Sequence, residues 1–233
     1  MIKYHKIQFK RIYRSTELFL KFLEKNFIFN NKIIIDIGCG AGANTIFMAK
    51  KYKKAKIIGL DNNKKLIAFA KKKLKNSNLK NCSFSICDIK NLKNKKTKLP
   101  KKIDLVVSFH VMSFLDFWYD EYLKNVLYLK PASIACSSLF YDGLAELKIY
   151  AKDFSKNDFN GSYYNIFSLH KIKQYLKNKK YSEFKKEFME IDINLKKPKH
   201  LGMGSYTVNL KNNKKIIKSG PISLPHGYFF ASK

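Results

Sequence analysis

Apolar residues in this chain fall into two alternating patterns. Short continuous runs read as buried strands: Ile33-Ile34-Ile35, Ile57-Ile58-Gly59-Leu60, Leu105-Val106-Val107 and Ala132 to Leu139, with a third run from Ser83 to Asp88. Between them lie stretches with helical spacing. Phe19, Phe22, Leu23 and Phe27 form a stripe behind Ser15, a predicted N-cap, with Glu17 in the positive first turn. A second helix is predicted from about Asn44 to Tyr52, and a third on Leu66, Ile67, Ala70 and Leu74. A fourth, from Tyr119 to Lys130, stops at Pro131. Ser168 caps a fifth that carries Leu169, Ile172 and Leu176. Later strands are predicted over Phe184–Leu195 and Gly227–Ala231. Ser205–Leu210 and Lys215–Lys218 flank Lys211-Asn212-Asn213-Lys214 as a hairpin. Asn91–Lys102 reads as a polar loop, and Tyr141–Tyr164 as a possible helix followed by an irregular segment near Gly161. Strands alternating with helices imply a mostly parallel sheet covered on both faces. No repeat or low-complexity linker divides the chain, so residues 1–233 are expected to form a single domain.

Composition changes this picture in one respect, charge. The formal net charge is +30. A polyanion such as RNA would be attracted to such a surface. Yet only two of the 47 basic residues, Arg11 and Arg14, are arginines, and nucleic-acid readers use Arg for bidentate and stacked contacts. The lysines are spread along the chain, and Lys, Asn, Ile, Phe and Tyr all have AT-rich codons. Drift in composition is therefore favoured over a dedicated nucleic-acid surface. No apolar run reaches the ~18 residues of a membrane span. Met1 to Arg14 lack the apolar core of a signal peptide. The cysteines Cys39, Cys82, Cys87 and Cys136 form no CxxC pair, and the five histidines are scattered. Reduced thiols in a cytoplasmic protein without a metal site are expected.

The candidate chemistry begins at Asp36-Ile37-Gly38-Cys39-Gly40-Ala41-Gly42, directly after the first strand. Glycines permit a tight turn and a close ligand approach, and open α/β sheets bind ligands at strand carboxyl ends. Gly38-x-Gly40-x-x-Ala43 also satisfies the dinucleotide fingerprint, so a nicotinamide enzyme is a formal rival. Asp61 closes the second strand and Asp88 the third. A chain with only 17 acidic residues thus places Asp at three neighbouring strand ends. Helix capping is the plain alternative for each.

This D-x-G-x-G-x-G with Asp61 and Asp88 resembles the class I S-adenosylmethionine (SAM)-dependent methyltransferases, and the resemblance extends over most of the chain. It implies a doubly wound, Rossmann-like, seven-stranded sheet. The last strand, Gly227–Phe230, would be antiparallel, with a β-hairpin insertion over 196–222 before it and an N-terminal lid or helix over 1–30. It implies SAM as cofactor and S-adenosylhomocysteine (SAH) as product. Asp36, Gly38, Cys39 and Gly40 would form the cofactor turn. Asp61 and Asn62 would lie at the ribose, Asp88 and the Ile89 amide at the adenine, and Phe109 beside the methyl position. SAM carries a sulfonium and an ammonium group and no phosphate, which suits acids in a lysine-rich chain. Arg14, or failing that Arg11, is proposed for the methionine carboxylate because of its planar fork. Ser108-Phe109-His110-Val111 departs from the Asn/Asp-Pro-Pro-Tyr/Phe turn of enzymes that methylate amide or base nitrogens. The expected acceptor is therefore a small molecule or saccharide, methylated at oxygen, with His110 as candidate general base. RNA or protein methylation is the alternative, and a non-catalytic SAM-binding fold a further one. Tyr4, Tyr13, Tyr163, Tyr164 and Tyr206 are candidates for the acceptor pocket. The sequence leaves the oligomeric state open.

Overall fold

A computed structural model describes residues 7–92, 99–155, 161–200, 202–211 and 214–233. Five parallel strands form its centre: β1 Ile33–Ile37, β2 Lys56–Asp61, β3 Cys82–Ile86, β4 Leu105–Phe109 and β5 Ser133–Tyr141. Next in chain order come the two-residue strands β6 Tyr150–Ala151, β7 Ser162–Tyr163 and β8 Phe167–Ser168. They are followed by β9 Glu183–Phe188, β10 Ser205–Asn209, β11 Lys215–Ser219, β12 Ile222–Ser223 and β13 His226–Ser232. The main sheet runs β3-β2-β1-β4-β5-β13-β9, with β8 added beside β5. β13 is antiparallel to both its neighbours, as expected for the last strand. Strand order reverses between β1 and β4, which opens a crevice beyond their carboxyl ends.

The helices are α1 Arg14–Asn26, α2 Ala43–Lys51, α3 Lys64–Lys75, α4 Tyr119–Tyr128 and α5 Leu169–Lys177. The strand runs are continuously apolar because both sheet faces are covered. Successive residues of β1 serve opposite cores. Ile34 joins Phe19, Leu23, Met48 and Ile67 from α1, α2 and α3. Ile35 joins Tyr122, Leu123 and Ile172 from α4 and α5. Phe19 is fully buried and stacks on Tyr228 of β13 at 5.3 Å. Such a ring contributes about 1.5–3 kcal/mol by burial, which docks α1 onto the sheet.

Several boundaries differ from the sequence expectations, each for a local reason. α1 begins at Arg14, with Tyr13 at the N-cap position and no side-chain cap, so Ser15 lies inside the helix. Ser168 does cap α5, accepting from the Lys171 amide at 3.1 Å. β3 ends at Ile86 because Asp88 starts a short 3-10 turn, its Oδ1 accepting from the Lys90 amide at 2.9 Å. β9 ends at Phe188, where its pairing with Gly227 runs out. The 196–222 insertion carries more than a hairpin: β12 adds a third strand to β10 and β11. Asn212 and Asn213 of the predicted turn lie outside the described residues, as does part of the predicted polar loop, 93–98. The 141–164 segment forms a β6–β7 ladder where a helix was possible. Among the described residues no helix is long and apolar enough to cross a membrane.

Candidate cofactor and active site

The glycine turn at the end of β1 uses left-handed backbone at Gly38, Gly40 and Gly42, with φ of 70°, 56° and 84°. A side chain at Gly38 would also collide with Val111 Cγ2 from the turn after β4. The N–H groups of this turn are spent inside the protein. Those of Gly38 and Cys39 both donate to the Leu60 carbonyl, at 2.8 and 3.0 Å. The Gly40 amide donates to Asp61 Oδ2 at 2.9 Å, and the Gly42 amide to the Cys39 carbonyl at 2.9 Å.

The strand-end acids differ in what they do. Asp61 also accepts from the Asn63 amide through Oδ1 at 2.9 Å, and each of its oxygens keeps a lone pair for a ligand. Asp36 is 1% exposed. Its Oδ2 accepts from Thr45 Oγ1 at 2.6 Å, while Oδ1 is buried with no partner among the described residues. Burial pushes the Asp36 carboxyl up to about 7, and the neighbouring Asp61 charge adds to that; the Thr45 hydrogen bond opposes it. Neither acid caps the helix that follows. Gly42 stands at the N-cap of α2, and Asn63 caps α3 by accepting from the Lys65 and Leu66 amides. Asp88 is the exception, since it caps its own 3-10 turn.

These residues surround a cleft of about 220 Å³. Ile37, Gly38, Asp61 and Asn62 line one side, Cys87 and Ile89 another, and Val111, Phe114 and Leu115 the third. A larger open depression near Lys71, Leu74 and Leu79 lies on the C-terminal half of α3 and gathers no comparable chemistry.

Past β4, His110 adopts a left-handed backbone with φ of 55°. Its amide donates to the Ser137 carbonyl at 2.8 Å, and its Nε2 lies 3.3 Å from Ser137 Oγ. The ring meets His226 of β13 edge to face, with centroids 4.9 Å apart. Nδ1 of each ring is buried without a partner among the described residues. Burial pushes His110 down to about 3, with His226 adding to the effect, and burial pushes His226 to about 4. Both imidazoles are therefore neutral at physiological pH.

The expected site residues divide accordingly. Gly38, Asp61, Asn62 and Ile89 line the cleft. Cys39 and Gly40 belong to its turn, and Asp36 is buried at the end of β1. Phe109 packs edge-on against Phe19 at 5.1 Å. Arg14, expected at the methionine carboxylate, bonds Asp192 through Nε, at 2.8 Å, and Nη2, and bonds Glu17 through Nη1 at 3.2 Å. Two protein carboxylates thus take three of its five N–H donors. Arg11 is exposed. Of the proposed tyrosines, Tyr164 packs edge-on against cleft-lining Phe114 at 5.5 Å. Tyr163 meets Tyr150, Tyr206 donates to the Gly220 carbonyl, and Tyr13 is half-buried. Tyr4 lies outside the described residues, as do residues 1–6 of the expected lid. Val111, Phe114, Leu115 and His226 were not singled out from the sequence.

The turn discriminates between the two candidate ligands. A pyrophosphate is cradled by free N–H donors of the glycine turn and the helix it opens, and here four amides of the turn itself, those of Gly38, Cys39, Gly40 and Gly42, are already used. A carboxylate stands beside them, and none of the nine cleft-lining residues is basic. That set suits SAM, a cationic nucleoside without phosphates, better than a dinucleotide.

Comparison with known proteins agrees. A family model described as a methyltransferase domain matches residues 28–191. The chain belongs to the SAM-dependent methyltransferases. SAM is the cofactor of this fold. A malonyl-[acyl-carrier protein] O-methyltransferase of Priestia megaterium is 32% identical over 122 residues, covering 52% of this chain and 41% of that protein. In structure, YcgJ of Bacillus subtilis is similar at a TM-score of 0.58 and 11% identity, covering 94% of this chain and 97% of that one. TehB of Haemophilus influenzae is similar at 0.56 and 18% identity, covering 93% and 62%. This methyltransferase chain spans 21–41% of the length of the curated relatives it matches.

Proposed function

We propose that this methyltransferase transfers the methyl group of SAM to the oxygen of a small hydroxylated acceptor, with His110 receiving the acceptor's proton. When bound, SAM supplies an activated methyl group on a sulfonium leaving group. Asp61 and the Asn62–Asn63 turn hold the ribose end, and Ile89 and Cys87 flank the base. Asp36 offers its unpartnered oxygen as negative charge behind the glycine turn. The chain's contribution is then mainly orientation and exclusion of water.

The observation that carries the choice of oxygen is the His110 ring. It follows β4 immediately and precedes Val111, which touches the glycine turn; it is neutral, and it would take the proton on Nε2 in exchange for its 3.3 Å contact with Ser137 Oγ, since Nδ1 is buried. A hydroxyl becomes strongly acidic as its oxygen gains the methyl group, so even a weakly basic imidazole can take its proton. The relative from Priestia megaterium, an O-methyltransferase by name, is consistent with this reading.

The test is methyl transfer from radiolabelled SAM to a panel of small alcohols, phenols, sugars, amines and bulk tRNA. Transfer to hydroxyl compounds is expected. His110→Ala should lower turnover by about 10²-fold or more and leave SAM affinity within about twofold. Transfer confined to amines or tRNA would overturn the oxygen assignment, and unchanged turnover in His110→Ala would remove His110 from the reaction.

A further inference from the structure

The connections from α2 to β2 and from α3 to β3 lie at the amino ends of the parallel strands, the opposite end of the sheet from the cofactor cleft. Residues 50–56 and 71–80 hold ten lysines and no acid between them. All ten lysines are exposed. The fold brings the two runs together. Asn81 Nδ2 lies within hydrogen-bonding reach of the Ala49, Tyr52, Lys53 and Ala55 carbonyls, at 3.0, 3.3, 3.4 and 2.9 Å, which holds the two corners side by side.

Helix geometry accounts for only half of this charge. The carbonyl ends of α2 and α3 favour cations in their last turns, where Lys50, Lys51, Lys72, Lys73 and Lys75 lie. Lys53, Lys54, Lys56, Lys71 and Lys80 lie outside those turns. Among the described residues Lys51 alone of the ten is ion-paired, with Glu24 at 2.7 Å. Lys71 and Lys75 stand one turn apart with like charge, an arrangement that opposes the helix. The open depression of about 500 Å³ on α3 is lined by Lys71, Lys75, Lys80 and Asn78 together with Leu74 and Leu79. Both leucines are half-buried and pack on the edge of the core beneath.

A ligand matched to this surface supplies negative charge and apolar side chains together. Nucleic acid supplies only the first. It is gripped by arginine forks and by aromatic rings that stack on bases, and the lining has neither. A small anion leaves the leucines uncovered. A helix with an apolar stripe flanked by Asp and Glu supplies both, and such helices dock into apolar grooves through side chains at i, i+3 and i+4. We propose that this pole is a docking surface for an acidic amphipathic helix of a partner protein, its apolar stripe on Leu74 and Leu79 and its carboxylates on Lys71, Lys75 and Lys80. The surface lies away from the cleft, so the proposal stands apart from which acceptor is methylated.

The probe is a synthetic helical peptide of about 18 residues with leucine along one face and glutamate on its flanks, titrated into the protein by fluorescence anisotropy. An isomer with the leucines scattered around the helix carries the same charge, and bulk tRNA serves as a plain polyanion. The one-faced peptide should bind at about 10–100 μM at low salt, the scattered isomer about fivefold more weakly or worse. Binding should weaken about tenfold between about 0.05 and 0.3 M salt. Changing Lys71, Lys75 and Lys80 together to Glu should weaken the peptide about tenfold or more, and Leu79→Ala about fivefold. Changing Lys173, Lys177 and Lys180 to Glu, on and just after α5, makes the same change in net charge and should leave binding within about twofold. SAH affinity should be unchanged in every variant, which reports that each is folded. Absent peptide binding, equal binding of the two isomers, or equal loss in the two lysine triples would overturn the proposal. Tighter binding of tRNA, lost with the Lys71, Lys75 and Lys80 triple, would overturn it in favour of a nucleic-acid surface.

Discussion

The Asp36 carboxyl allows a quantitative test of how this site binds a cation. Its ordinary value of 3.8 is raised to about 7 by burial, so at pH 6 about 0.9 of a proton resides on it in the free protein. A bound sulfonium and ammonium favour the ionised form. SAM binding at pH 6 should therefore expel close to one proton, and at pH 8 about a tenth of one. Calorimetry in buffers of different ionisation enthalpy counts those protons directly. Wild-type affinity should improve up to about tenfold between pH 6 and 8, while Asp36→Asn should be flat and weak throughout. Stability carries the same signature with a defined sign. A carboxyl whose folded value is raised contributes stability that is full below pH 3.8 and lost as pH rises through about 7. From pH 5 to 8 that loss is about 2.5 kcal/mol, or about 5–10 °C in melting temperature for a chain of this size. His110 and His226 act oppositely, since their depressed values give stability that is lost as pH falls below 6.5. The clean quantity is the difference between wild type and Asp36→Asn at each pH, where the histidines cancel. The variant should gain about 2.5 kcal/mol on wild type across that range. No proton release at pH 6 together with parallel melting profiles would refute the placement of Asp36 behind the cofactor.

Further expectations follow from single contacts. Gly38→Ala places a side chain on a left-handed residue and into Val111, so SAM affinity should fall about tenfold or more and the melting temperature should drop; an alanine variant with wild-type SAH binding would contradict the close approach. Arg14→Lys loses the bidentate bond to Asp192, yet SAM affinity should stay within about twofold of wild type if Arg14 serves chiefly Asp192 and Glu17. A larger loss would return Arg14 to the cofactor site. With His110 neutral down to about pH 3, the pH profile of turnover at saturating SAM should show no His110 inflection between pH 5 and 8.

The half of the site that was readable from the sequence is the half built locally. Asp36, Gly38 and Gly40 follow one apolar run, and Asp61 with Asn62 closes the next, so strand-to-turn chemistry places them without knowledge of the remaining chain. Asp88 was read the same way but also caps its own turn, a role its residue type equally suits. The side of the cleft after β4 is different in kind. Phe114 sits in a three-residue 3-10 turn, too short to have a periodic pattern, and Tyr164 reaches it only through Asn165, 50 residues after its bonding partner Leu115. The partner of Arg14 was unreadable for the same reason, since Asp192 lies 178 residues away. His226 meets His110 only because β13 turns back antiparallel beside β5, with His226 opposite Leu139.

The net charge of +30 has to be reconciled with a positively charged cofactor. At physiological ionic strength the Debye length is about 8 Å, so exposed lysines beyond that distance act weakly on a ligand in the cleft. Groups within contact distance dominate. There, among the described residues, the structure supplies Asp61 on the lining, Asp36 buried behind the turn and no basic side chain. Lys90, one residue beyond Ile89, is drawn off by Asp116 at 3.0 Å. Lys148 is held by the Asp116 carbonyl and two rings. Surface composition and cleft composition are thus separated among the described residues: lysine accumulates where screening weakens it and is missing from the cleft lining. That separation also weighs against reading the surface charge as a guide to the acceptor, because a polyanion steered to the lysines would still meet a cleft lined by one carboxylate and no basic residue.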